Sequence, residues 1–377
     1  MDYNSLALQL HEQYKGKITT QLRDDSELDR TKLSAYYSPG VGAVSQAIAD
    51  DASLLPKYTW TNNLVAVISD GSAILGLGDL GPKAAMPVME GKALLFKHFA
   101  GIDSVPIILD VHTAGEIVTA VKAIAPSFGA INLEDISAPK CFEIEERLKA
   151  ELDIPVFHDD QHGTAVVTLA GLINAAKVTG RNLSSSKVVT IGAGAAGTAI
   201  VKLLSLYGIK NIAAVDSRGV IGAHRTDLNP EKTALLEYID SSQTGLLEDA
   251  ITDADIFIGV SQPGLLTPEL VAKMAKDPIV FALANPVPEI MPDIALAAGA
   301  AVIATGRSDF PNQVNNAIAF PGIFRGALDN GVQKITDEHK LAAADTIASL
   351  VEDPTADTVI PSVFDDRLVA AIADVIK

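Results

Sequence analysis

The chain is poor in sulfur, in aromatic rings, in positive charge and in long apolar runs. One cysteine, Cys141, in 377 residues excludes an internal disulfide and suits a reducing compartment, so the expected location is the cytosol. A lone thiol of this kind is expected in the interior rather than at work as a nucleophile. No stretch approaches the ~18 uninterrupted apolar residues of a membrane span. The opening "MDYNSLALQLHEQYKGK" also lacks the basic start and apolar run of a signal peptide. A soluble protein with no membrane partner is expected. Positive charge is scarce too: 29 Lys and Arg stand against 47 Asp and Glu, a formal net charge of −18. Such a surface repels a phosphate backbone, which argues against nucleic acid as a partner. An anionic small substrate stays open, provided a cation sits at its site.

What the chain does have is hydrophobic residues, 48% of the total, gathered into short Val- and Ile-rich runs between Ala-rich helical segments. "LVAVISD", "VPIILDV", "AINLED" and "IPVFHDD" read as strands buried on both faces, hence parallel and covered by helices. Each ends in acid. Asp70, Asp110, the pair Glu134 and Asp135, and the pair Asp159 and Asp160 should therefore gather at the carboxyl edge of one sheet, where open α/β sheets hold ligands. A second series, "KVVTIGAG", "NIAAVDS", "ADIFIGVS", "PIVFALANP" and "AVIATG", repeats the alternation. The expectation is an α/β fold of two domains, residues 1–160 and 161–330. The second is a doubly wound dinucleotide-binding unit, and a helical tail, 331–377, packs back on the first domain.

In "VVTIGAGAAG", Gly192, Gly194 and Gly197 follow an apolar strand and open a helix, and Asp216 closes the next strand. This is the pattern in which backbone at Gly192, Gly194, Ala195, Ala196 and Gly197 approaches a pyrophosphate while the acid takes a ribose diol. A carboxylate at 216 favours NAD over NADP, and Arg218 softens that preference. Asn285, at the end of "LANP", should reach cofactor or substrate.

"PVFHDDQHGT" resembles a zinc motif with one letter wrong. His158 and His162 would share a face only if the segment between them were helical throughout, yet Pro155, Val156 and Phe157 read as strand. An all-oxygen site for Mg²⁺ or Mn²⁺ built from Glu134, Asp135 and Asp160 is the better reading, because three clustered carboxylates need a cation. Asp159 would orient that site from behind.

"SAYYSPGVG", "SDGSAILGLGDLG", "MEGKALLFKHFAGID", "INLEDI", "FHDDQHGTAVV", "IGAGAAG", "LANPVPEI" and "NQVNNAIAFPGIFRGAL" occur in order along nearly the whole chain. Together they resemble the malic enzyme family in its short bacterial form. The resemblance implies that Tyr37 is the acid, with Tyr36 a packed neighbour, and that Lys92 is the base and a substrate contact. It implies that Glu134, Asp135 and Asp160 hold the metal, and that Asn285 and Asn316 hold the substrate, with Asn315 beside them. It also implies the reaction. (S)-Malate gives its hydroxyl proton to Lys92 and its C2 hydride to NAD, oxaloacetate loses CO₂, and Tyr37 protonates C3 to give pyruvate. For this Lys92 needs a lowered pKa. The long form's arginine before "ILGLGD" is replaced here by Ser72 and Ala73, which leaves Arg325 as a candidate for the substrate carboxylate. A homodimer exchanging its first residues, "MDYNSLALQL", is implied as well. The rival readings are an oxaloacetate decarboxylase without net redox, an NADP-preferring enzyme, and malolactic conversion, whose known representatives resemble the long form more closely.

Overall fold

The computed structural model describes residues 3–377. Four strands, β1 (Leu64–Ser69), β2 (Asp103–Ile108), β3 (Ala130–Leu133) and β4 (Val156–His158), form an all-parallel sheet in the order β2-β1-β3-β4. All six residues of β1 are buried, which is why its sequence does not alternate. Helix Pro82–Ala100 covers one face through Met89 and Phe96. Helices Ala114–Ile124 and Lys140–Glu151 cover the other through Ile117, Val121 and Ile144.

The second sheet contains β5 (Lys187–Ile191), β6 (Asn211–Asp216), β7 (Gly219–Val220), β8 (Ile256–Gly259), β9 (Ile279–Ala282) and β10 (Val302–Thr305). Its order is β10-β9-β8-β5-β6-β7, parallel except for β7. The order reverses at β5, so the crevice between β5 and β8 is the point where a doubly wound sheet binds its ligand. The expected fold class is the one observed.

Between the sheets runs helix Asp159–Thr179, 21 residues of which 14 are buried. It is apolar around most of its circumference because it is packed on all sides. Helix Ala195–Leu206 and helix Asp337–Ser349 both lie against it. The last helix, Leu368–Val375, packs on Phe320–Asn330, and the tail meets the first domain where the ring of Phe364 stands 5.8 Å from that of Phe99.

One buried side chain fastens the tail. Asn174 Nδ2 donates to the carbonyls of Ala348 at 2.9 Å and Val359 at 3.0 Å. Asn174→Ala would leave the Val359 carbonyl without its donor and the Ala348 carbonyl with only the Val351 N–H at 3.3 Å, and is expected to cost about 1–3 kcal/mol. Equilibrium unfolding in urea measures this; a parental midpoint would mean that solvent replaces the lost donor.

Candidate active site

The carboxyl edge of the first sheet brings the acids together. Glu134 and Asp135 follow β3, and Asp159 and Asp160 open the helix that follows β4. Asp135 adopts a left-handed φ of +53°, unusual for a residue with a side chain, and its carbonyl accepts the Ala73 N–H at 3.0 Å. Its own N–H donates to Asp160 Oδ2 at 2.8 Å, tying one strand end to the next. Glu134, Asp135 and Asp160 each offer an oxygen, all within 4.8 Å of one another, as the sequence predicts.

The electrostatics of this cluster call for a cation. Burial lifts Glu134 well above the usual carboxylate range, with Asp160 adding to the lift. Burial and the charge of Asp160 likewise push Asp135 up to about 7. Asp160 stays below its ordinary value: burial opposes this, but His158 beside it prevails. Asp135 Oδ2 is buried and accepts no hydrogen bond. An oxygen-rich cradle with an unused, buried carboxylate oxygen suits Mg²⁺ or Mn²⁺.

Lys92, buried on helix Pro82–Ala100, points into the cluster. Its Nζ lies 2.7 Å from Asp159 Oδ2, 2.9 Å from Glu134 Oε1, and 4.5 Å above the ring of Phe320. The lowered pKa expected of a base is not what this arrangement gives. Burial does act to lower it, but Asp159 and Glu134 outweigh burial and hold the amine above the ordinary lysine value. Asp159 is therefore the direct partner of Lys92.

The histidines serve the scaffold. The helix begins at Asp159, so His158 ends a strand and His162 sits in a helical turn. His162 Nε2 bonds Glu145 Oε2 at 2.8 Å, and burial lowers its pKa to about 3, which keeps it neutral. His158 Nε2 faces Asp160 instead, at 3.3 Å. No zinc pair forms. Cys141 is buried in the core, as expected.

Tyr37 stands apart from this cluster, 70% exposed. Arg23 reaches Asp103, the first residue of β2, at 3.6 Å, and Tyr36 Oη donates to the neighbouring Asp24 at 2.9 Å. The segment that carries Tyr37 thus touches the amino edge of the sheet through Arg23, whereas Lys92 and the acids occupy the carboxyl edge. Tyr36 is 64% exposed and not packed, contrary to expectation. Arg325 is a second correction. Its Nη1 donates to Asn63 Oδ1 at 2.6 Å, just ahead of β1, and its Nη2 pairs with Asp329 at 2.6 Å. Helical phase turns it to the amino edge as well, so it is no candidate for a substrate carboxylate.

At the head of the second sheet, Gly192 has φ +103°, and a Cβ there would come within 2.6 Å of the Val260 carbonyl. A Cβ on Gly197 would lie 1.7 Å from the Gly192 carbonyl, whereas one on Gly194 would meet only open space. Two glycines close the turn and the third leaves room for a phosphate at the N-terminus of Ala195–Leu206, where Ala195 and Ala196 form the first turn. Asp216 ends β6, but both its oxygens are engaged. Oδ1 accepts Arg218 N–H at 2.9 Å and Arg225 Nη1 at 2.7 Å, and Oδ2 accepts Lys232 Nζ at 2.6 Å. Burial opposes its ionisation, yet Arg225 and Lys232 hold it below the usual range.

Asn285 is exposed beyond β9, and a Cβ on Gly306 would approach its Nδ2 to 2.8 Å. The Cβ of Asn316 lies 3.0 Å from where a Cβ on Gly163 would stand, which puts Asn316 against the first turns of the helix that carries Asp159. Asn315 serves the backbone, its Oδ1 accepting the Ala317 N–H at 2.9 Å. Three arrangements escape sequence reasoning. Lys140 pairs with Asp70. Glu289, buried, accepts Ser261 N–H at 2.8 Å and Ala284 N–H at 3.1 Å, fastening the loops after β8 and β9. Glu145 gathers Gln161, His162 and the backbone of His158. Only the motif "ANPVPE" signals any of these, through Glu289.

A carboxylate cradle with a buried lysine, joined to a glycine-turn dinucleotide half, defines a two-domain α/β protein of the nucleotide-dependent type. The family models described as "Malic enzyme, N-terminal domain" and "Malic enzyme, NAD binding domain" match residues 15–149 and 161–375. The chain belongs to the malic enzyme family. It is 53% identical over 377 residues to the bifunctional malic/malolactic enzyme of Bacillus subtilis, covering 99% of this chain and 92% of that one. With the NAD-dependent malic enzyme of Geobacillus stearothermophilus it shares 56% identity over 361 residues, 95% of this chain and 74% of the other. The crystal structure of the NAD-dependent malic enzyme of Thermotoga maritima superposes with a TM-score of 0.95 at 49% identity, covering 98% of both chains.

Proposed function

We propose that the chain oxidatively decarboxylates (S)-malate to pyruvate and CO₂, with NAD as the oxidant and oxaloacetate retained in the site between the two steps. The observation that carries this reading is Lys92, whose amine lies within 2.9 Å of both Asp159 and Glu134 and next to the acid cluster. Lys92 takes the C2 hydroxyl proton as the C2 hydride leaves for the nicotinamide, and Asp159 keeps the amine aimed. Asn285 and Asn316 orient the substrate. Tyr37 returns a proton to C3 after CO₂ has gone. A divalent cation held by Glu134, Asp135 and Asp160 would polarise the C2 oxygen, take up enolate charge, and draw on the carboxylate that now keeps Lys92 protonated.

NAD is the preferred nucleotide in this reading, because Asp216 is an anion at the ribose position. Its pairing with Arg225 and Lys232 blunts the repulsion of a 2′-phosphate, which supports slower use of NADP. Both kinds occur among relatives: one Rhizobium meliloti enzyme 48% identical to this chain is NAD-dependent, and another, 46% identical, is NADP-dependent.

The working form is a homodimer in the cytosol. Helices Tyr3–Tyr14, Arg30–Tyr36 and Val41–Asp50 bury no residue, and Leu8, Leu22 and Tyr37 are 75%, 78% and 70% exposed. So much apolar surface on one segment asks for a partner, and a second copy supplies Tyr37 to the site, its own chain's Tyr37 being exposed. Of the expected exchanged segment, Met1 and Asp2 lie outside the described residues.

The test is NADH formation by purified protein given malate, Mn²⁺ and NAD; none formed would defeat the reading. NADP in place of NAD measures the preference, and loss of oxaloacetate without nucleotide measures the decarboxylase activity. A malolactic side activity calls for an assay for lactate, since the Bacillus subtilis relative carries that name and is similar to this chain over nearly its whole length. The expectation that such enzymes resemble the long form more closely is thereby corrected.

A further inference from the structure

Asp160 has two neighbours on one oxygen, one bonded and one close by. Its Oδ2 accepts the Asp135 N–H at 2.8 Å and lies 3.3 Å from His158 Nε2. Its Oδ1 accepts no hydrogen bond from the described residues. His158 is wholly buried at the end of β4, and no step of the proposed reaction uses it.

Which proton His158 carries is decided behind it. Glu145 is buried, and everything that touches its carboxylate is a donor. Oε1 accepts His158 N–H at 3.1 Å and Lys149 Nζ at 2.6 Å, and Oε2 accepts Gln161 Nε2 at 3.3 Å and His162 Nε2 at 2.8 Å. Burial acts to raise Glu145, but His162 and Lys149 hold it well below the usual range, so it is ionised and can only accept. The part of Gln161 that faces it is therefore the NH₂. That same nitrogen lies 2.7 Å from His158 Nδ1. Nδ1 then offers its lone pair and the ring proton sits on Nε2, which makes no hydrogen bond in this structure and stands 3.3 Å from Asp160 Oδ2.

We propose that Glu145, Gln161 and His158 form a positioning chain that fixes which oxygen of Asp160 turns toward the cation, and so sets affinity for a divalent cation. The chain acts through Asp160 and touches no substrate. It rests on the reading of Glu134, Asp135 and Asp160 as ligands. Groups that orient a ligand from behind typically govern affinity by about 10–100-fold. Glu145 also lines a cavity of about 720 Å³ between helices Lys140–Glu151, Asp159–Thr179 and Ala195–Leu206, so its side chain can be altered without overpacking the core.

The experiment uses the full-length enzyme stripped with a chelator, titrated with Mn²⁺ alone and read by the electron paramagnetic resonance signal of the free ion. His158→Ala is expected to bind Mn²⁺ about 10–100-fold more weakly than the parent. His158→Gln, whose amide nitrogen reaches the place of Nε2, should stay within about threefold. Glu145→Gln is the discriminating variant. Without an acceptor-only neighbour, Gln161 can turn its oxygen to the ring, the proton can move to Nδ1, and a lone pair then faces Asp160. Affinity should fall about tenfold although Glu145 touches no ligand. Parental affinity in His158→Ala, or in Glu145→Gln, overturns the proposal. Should His158→Ala not fold, as judged by circular dichroism, the contrast between Glu145→Gln and His158→Gln decides the same question. A parent that takes up no Mn²⁺ overturns the ligand assignment itself, and is told apart from the other outcomes because it appears before any substitution.

Discussion

Asp160→Ala is expected to reduce malate turnover by on the order of a thousandfold or more, and added Mn²⁺ should not recover it. Asp160 is one of three carboxylates whose oxygens converge within 4.8 Å, so its loss opens the cradle on one side. It also accepts the N–H of Asp135 at 2.8 Å, and that N–H belongs to a residue held at φ +53°. Alanine therefore removes a charge and also loosens the strained turn that aims the carboxylate of Asp135, a second proposed ligand. Asp160→Asn separates the two effects. It keeps an acceptor for the Asp135 N–H and should fold as stably as the parent, yet it lacks the negative charge and should be nearly as inactive as alanine. Steady-state kinetics across a range of Mn²⁺ would check this. Substantial activity for Asp160→Ala at high Mn²⁺ would place the ligand elsewhere.

Mixing two inactive variants should restore activity. Tyr37→Phe removes the proposed acid and Lys92→Ala the proposed base, so each variant alone is expected to lose about 10²–10⁴-fold in rate. Within one chain, Tyr37 is 70% exposed on an arm whose Arg23 reaches Asp103 at the amino edge of the first sheet, while Lys92 is buried against Asp159 at the carboxyl edge. If each site joins Lys92 of one copy to Tyr37 of the other, a mixed dimer has one site with both groups intact and one with neither. Random reassortment then yields half mixed dimers, and activity near about a quarter of the parent. Sites confined to single chains would leave every site in the mixture with a lesion. The measurement is malate-dependent NADH formation after the two proteins are unfolded and refolded together; a mixture as inactive as its components would rule out the composite site.

The fold was legible because its strands are buried on both faces. Such strands are written as unbroken apolar runs, and the turn between β5 and its helix accepts only glycine at positions 192 and 197. The acid triad was legible for a related reason: parallel strands end on one edge, so acids that close successive runs must meet. What the sequence hides is direction and distance across the chain. The state of Lys92 depends on a carboxylate 67 residues away, at 2.7 Å. Arg325 sits in a suitable motif but on the wrong side of its helix, where Asp329 and Asn63 claim it. Arg225 and Lys232 reach back to Asp216 from a loop and from the short helix Pro230–Leu235 that follows it, so the charge around Asp216 could not be read from Asp216 alone. Glu145 serves His158 and Gln161 from a separate helix, 13 and 16 residues earlier.

Helix Asp159–Thr179 has a consequence for how the protein comes apart. One apolar cluster takes in Val65 and Phe96 from the first half, Val166 and Leu169 from this helix, Ile256 and Phe281 from the second half, and Ile347 and Ile372 from the tail. Two sheets in topology are thus one body in thermodynamics. A chain severed near residue 160 would expose that cluster on both pieces, and neither piece would be a domain in the sense of folding by itself. The whole chain should unfold in a single cooperative transition, losing its acid cradle and its nucleotide turn together.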